Sequence, residues 1–190
     1  MKRSRPRQHL RRLKSGKKVT INKGRKKNTP TITRKQRKIF NNLSNPKEFN
    51  SEWGGAIDFD KKGKIENIGV IPGDTYEVII PDDYEVKYHT HPDRKESPPT
   101  PEDIIALMSD KRQQAEMVFR DGISYTIIKT PETNKYYKEK EQRKLFKELR
   151  KNLFTLSEED YLKTIRKKGF IVNKSKNKKQ PIKVNIKPVQ

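Results

Sequence analysis

Hydrophobic and polar positions change their rhythm several times along this chain, and each change marks an element. Residues 33–43, TRKQRKIFNNL, place Ile39, Phe40 and Leu43 at helical spacing, and Asn45-Pro46 stops the run. From Glu52 the pattern turns to strand. Residues 52–60 and 65–71 are β-like segments separated by a Gly-containing turn at 61–64, and Pro72-Gly73-Asp74 turns the chain again. TYEVIIP (75–81) and YEVKYHTH (84–91) alternate β-branched and aromatic residues and predict two further strands. PEDIIALMSD (101–110) reads as a short helix. EMVFRDGISYTIIKT (116–130) is a hairpin around Asp121-Gly122. Leu145, Phe146, Leu149 and Leu153 repeat with helical period within 137–153, and SEEDYLKTIRKK (157–168) predicts a last helix capped by Ser157. Helix, strands, helix, hairpin and helices together predict an α+β domain with a mixed sheet.

Charge changes the picture at the ends. The 190 residues carry a formal net charge of +22, with 29% hydrophobic and 37% charged residues. Residues 1–30 hold thirteen Lys or Arg and no acid, and 166–190 hold nine and no acid, so the excess lies in the two ends and 31–165 is formally neutral. The expected organisation is a folded domain over 31–165 between disordered basic tails, 1–30 and 166–190. Such tails suit non-specific association with nucleic acid, nuclear import, or simple solubility. The absence of cysteine removes disulfide frameworks and thiolate metal sites. With no apolar run of bilayer-spanning length, and a basic start lacking the apolar stretch of a secretory signal, an intracellular protein, cytoplasmic or nuclear, is expected.

Two of the three histidines stand together as His89-Thr90-His91 at the end of a predicted strand. Residues i and i+2 of a strand share a face, so both imidazoles can reach one cation, and a carboxylate from elsewhere would complete a three-ligand site. Read alone, the pair is equally compatible with exposed histidines on an edge strand. Downstream, Thr100-Pro101-Glu102-Asp103 begins a helix, where Thr100 and Asp103 have a capping role of their own. Upstream, Glu52 precedes Gly54-Gly55, glycines that suit a close backbone approach. Trp53, the single tryptophan, is expected in the core.

Taken in order, E-x-G-G, H-T-H-P and T-x-x-D-I resemble the JAMM/MPN (JAB-domain) zinc metalloproteases over roughly residues 50–130. The resemblance implies an MPN-like fold and a zinc ion held by His89, His91 and Asp103. It also implies Glu52 as the general base and Thr100, at the family's serine position, as an oxyanion donor. Active relatives cleave isopeptide or peptide bonds at the C-terminus of ubiquitin or a ubiquitin-like modifier, while others have lost the ligands and serve as scaffolds. Two departures stand out. Eleven residues separate His91 from Asp103, one more than the family's usual spacing, which makes Glu102 the reserve ligand. Thr100 replaces serine, and its extra methyl restricts the hydroxyl's rotamers. The second, structural zinc of some ubiquitin-specific relatives has no donors here, since there is no cysteine and only His9 is left over.

Overall fold

The computed structural model describes residues 9–12, 18–21, 30–44, 51–60, 62–74, 78–81, 84–91, 98–120, 122–176 and 181–184. Strands β1 (His9–Arg12) and β2 (Lys18–Ile21) pair as an antiparallel hairpin within the segment expected to be an unstructured tail. The rest of that segment lies outside the described residues. β3 (Thr31–Ile32) leads into α1 (Arg34–Leu43), which starts at a capping box: Thr33 accepts from the Gln36 backbone, and the Gln36 side chain accepts from Thr33 N–H.

The main sheet contains β4 (Trp53–Phe59), β5 (Ile65–Ile68), β6 (Ile71–Pro72), β7 (Val86–Thr90), β8 (Ala115–Arg120), β9 (Ile123–Ile128) and β10 (Ile171–Ser175). Its order is β10-β9-β8-β7-β4-β5, with β6 also on β4. Only β7 and β8 run parallel, because α2 (Pro101–Ser109) carries the chain across between them; the other pairs are antiparallel. A 3₁₀ helix (Pro131–Tyr137), α3 (Glu139–Thr155) and α4 (Glu158–Lys167) follow β9. The fold is α+β around a mixed sheet.

Alternation along the strands divides the core in two. Val86 and Tyr88 of β7 and Met117 and Phe119 of β8 face α1, where Phe40 stacks on Phe119 at 4.6 Å and meets Tyr88 edge-on at 4.7 Å. Val118, Tyr125 and Ile127 face the other way, under Ile104, Leu107 and Met108 of α2, Leu145 and Leu149 of α3, and Tyr161, Leu162 and Ile165 of α4. β7 is buried on both faces. Lys87 and His89 therefore point to the α2 side while their neighbours fill the α1 side.

The structure departs from the sequence reading in four further places. Residues 166–190 are not simply a tail: α4 runs to Lys167, Gly169 turns with φ 96°, and β10 adds to the sheet edge. Phe170, Val172, Ile182 and Val184 are buried, and β11 (Ile182–Lys183) pairs with β3. The basic residues around these four apolar positions hide their alternation in any average over the segment. Residues 177–180 and 185–190 lie outside the described residues. In the expected strand 75–81, residues 78–81 form no ladder, and Val78 and Ile80 instead cover Gly54 with their side chains; 75–77 are outside the described residues. The expected strand 65–71 divides at Gly69-Val70 into β5 and β6, which keep one register on β4, with Gly69 N–H donating to Ala56 O at 2.9 Å between them. Trp53 is half-buried rather than a core residue.

Burying a large apolar side chain stabilises a fold by about 1.5–3 kcal/mol, and four such groups rival the roughly 5–15 kcal/mol stability of an ordinary domain. Deleting 166–190 is therefore expected to abolish cooperative thermal unfolding followed by circular dichroism. A chain ending at Lys176 keeps β10 and should still melt cooperatively, at a lower temperature. Retention of the full-length melting temperature by the shorter truncation would place the C-terminal segment outside the fold.

Candidate metal centre

Each ligand candidate is placed by a different local device. His89 and His91 sit at the end of β7, whose neighbour β4 aligns Gly54 with His89. A side chain at Gly54 would collide with Val78 and Ile80, and at Gly55 a Cβ would lie 1.9 Å from Gly69 O. Gly54 thus makes room for Val78 and Ile80 and lies close to Tyr88 O on the histidine strand, while Gly55 makes room for the Gly69 backbone. Glu52 is held just before β4 by its backbone, with N–H to Asp74 O at 2.7 Å and its carbonyl accepting from Gly73 N–H at 2.9 Å. Thr90, the middle residue of H-T-H, accepts from Trp53 N–H through Oγ1 at 2.9 Å, tying the Glu52 end of β4 to the histidine strand.

Asp103 comes from the start of α2. Thr100 caps that helix and Pro101 occupies its first turn. Asp103 N–H donates to Thr100 Oγ1 at 3.3 Å, and Thr100 N–H donates to Asp103 Oδ2 at 2.6 Å. The capping box fixes the carboxylate without using it up, since Oδ1 remains 3.1 Å from His89 Nε2. Capping and cluster formation, posed as alternatives by the sequence, coexist. The loop leading into this helix is tied down by the buried Tyr161 hydroxyl of α4, which donates to Pro99 O at 3.0 Å.

Three donors therefore converge. His89 Nε2 and His91 Nε2 are 3.0 Å apart, with Asp103 oxygens 3.1 Å from the first and 3.7 Å from the second. Ligands about 2.0–2.1 Å from a tetrahedral ion lie about 3.3 Å from one another, so these separations suit one cation shared by all three. His89, His91 and Asp103 form a cluster that can hold a metal ion. Glu52 Oε1 stands 3.9 Å from His91 Nε2, at the edge of the cluster. Glu102, the reserve ligand, is exposed on the first turn of α2. Residues 92–97, between the histidines and α2, lie outside the described residues.

The electrostatics match a site built for positive charge. Burial alone would push His89 towards the neutral form, but Asp103 and Glu116 outweigh it and hold its pKa well above the usual imidazole value. Burial likewise opposes ionisation of Asp103, yet His89, His91 and the Thr100 N–H bring its pKa far below the ordinary carboxylate range. A divalent cation can replace the proton that these carboxylates otherwise attract to the imidazoles.

No family model, curated protein or solved structure matches the chain. Beside the trio lies a residue that no sequence motif marks, Glu116 on β8, whose Oε1 is 2.8 Å from His89 Nδ1. Its signal was a charge inside the apolar run AEMVF, in a strand buried on both faces. Among the described residues no helix is long and apolar enough to cross a membrane.

Proposed function

We propose that the chain is a zinc-dependent isopeptidase or peptidase of the JAMM type, with an MPN/JAB-like fold, acting at the C-terminus of ubiquitin or a ubiquitin-like modifier. The observation that carries this reading is the convergence of His89, His91 and Asp103 beside Glu52, from segments that follow the order E-x-G-G, H-T-H-P, T-x-x-D. Two imidazoles and one carboxylate form a typical catalytic zinc set with a fourth position left for water or substrate. Bound there, zinc would supply Lewis acidity and bring the pKa of water down to about 7.

The chain's own groups then have distinct tasks. Glu52, outside the ligand trio, takes the proton of the attacking water and returns it to the leaving amine. Thr100 Oγ1 accepts from Asp103 N–H through a lone pair, which leaves its hydroxyl hydrogen to donate to the developing oxyanion. Asp103 is kept from rotating by Thr100 N–H, and Glu52 is kept close by the Thr90–Trp53 tie. A chelator should abolish cleavage of isopeptide-linked modifier conjugates by the purified protein, and one equivalent of zinc should restore it. Zinc-loaded protein that cleaves none of a broad panel of conjugates would make the domain a scaffold instead.

A second reading concerns the ends of the chain and rests on charge. Residues 1–30 and 166–190 carry twenty-two basic residues and no acid. Association with DNA or RNA through them would draw on counterion release, with little regard for base sequence. Phe170, the only aromatic in these segments, is buried, so base stacking has no platform there.

A further inference from the structure

Glu116 occupies a place where a sheet interior has little use for a carboxylate. Its neighbour across the parallel ladder is Lys87, but Lys87 pairs with Asp110 at 2.8 Å. Glu116 instead reaches diagonally to His89 Nδ1, and its other oxygen accepts from Gln113 Nε2, which also donates to Ala115 O at 3.2 Å. Gln113, Glu116 and His89 are 2%, 5% and 7% exposed. A charge buried this deeply is costly unless its lone pairs are used, and here both oxygens have partners.

We propose that Glu116 is a positioning residue for the metal centre. By accepting from Nδ1–H, its carboxylate keeps the proton on that side of the ring. The His89 Nε2 lone pair is thereby aimed at the point shared with His91 and Asp103. Gln113 fixes the carboxylate in turn, so the chain Gln113–Glu116–His89 sets both tautomer and ring orientation. This assignment rests on reading the trio as a metal centre.

The test is zinc affinity of the full chain, measured by competition with a chromophoric chelator, together with the visible absorption of the cobalt-substituted protein. Glu116→Ala should weaken zinc binding about 10–100-fold and alter the cobalt bands. Glu116→Gln should recover part of the lost affinity and of the wild-type spectrum, because its amide oxygen still accepts from Nδ1–H while its NH2 is left facing the Gln113 amide donor. Wild-type affinity in Glu116→Ala would overturn the assignment. So would a loss in Glu116→Gln as large as that in Glu116→Ala, since the metal would then be sensing charge and not the held tautomer. Should Glu116→Ala fail to fold, Gln113→Ala decides: a loss of about threefold or more is expected, and unchanged affinity counts against the proposal. A wild-type chain that takes up no metal is a different result, which removes the metal reading and this assignment with it.

Discussion

Glu52→Gln should bind zinc like the wild type and lose hydrolysis by a factor of about 100 to 10,000, the range of a general acid–base group. That loss is about 2.7–5.5 kcal/mol of transition-state stabilisation. The selectivity follows from placement. Glu52 Oε1 lies 3.9 Å from His91 Nε2 and stands outside the three-donor cluster, so removing its charge leaves the ligands in place. Its main-chain bonds to Gly73 and Asp74 are unaffected by the amide, which preserves the entry to β4. Thr100→Ser should remain active because the hydroxyl is retained, whereas Thr100→Ala loses both the oxyanion donor and the helix cap. Turnover by Glu52→Gln at the wild-type rate, with zinc bound, would remove Glu52 from the mechanism.

The second large effect concerns the metal itself. Wild-type protein should contain about one zinc per chain, and His89→Ala combined with His91→Ala should contain none by elemental analysis. Asp103 allows a finer dissection because its two oxygens have different tasks. In Asp103→Asn the amide oxygen can still accept from Thr100 N–H, so the start of α2 should persist while the anionic ligand is lost. Asp103→Ala loses both, and about 1 kcal/mol of capping energy goes with it. Glu102→Ala, at an exposed position, should leave zinc affinity within about twofold of wild type. A stronger effect from Glu102→Ala than from Asp103→Asn would move the ligand by one residue.

Much of the fold could be read from the chain because its elements have local causes. Thr33 with Gln36, Thr100 with Asp103 and Ser157 with Asp160 mark helix starts through contacts three residues apart. The hairpin of β8 and β9 was equally plain, because both strands are apolar runs meeting at Asp121-Gly122. Long-range decisions were hidden. Residues 78–81 have strand-like composition, but Gly54 gives their side chains a surface to cover, and packing there replaced a ladder. β10 lay concealed among lysines because its partner, β9, is more than forty residues earlier. At the site, His89, His91 and Asp103 were legible as residue types in sequence order. Glu116 was not, since only the parallel pairing of β7 with β8 brings it under His89.

The tie between Tyr161 and Pro99 has a consequence for the order in which the protein becomes competent. During synthesis the histidines, the capping box and Asp103 emerge well before α4, which supplies the hydroxyl that secures the loop entering α2. Strand β10, which closes the sheet edge behind them, emerges later still. A nascent chain released as far as Asp103 thus carries all three donors while the loop entering α2 still lacks its tie to Tyr161. A metal held by this trio would then be taken up late, after closure of the last third of the chain.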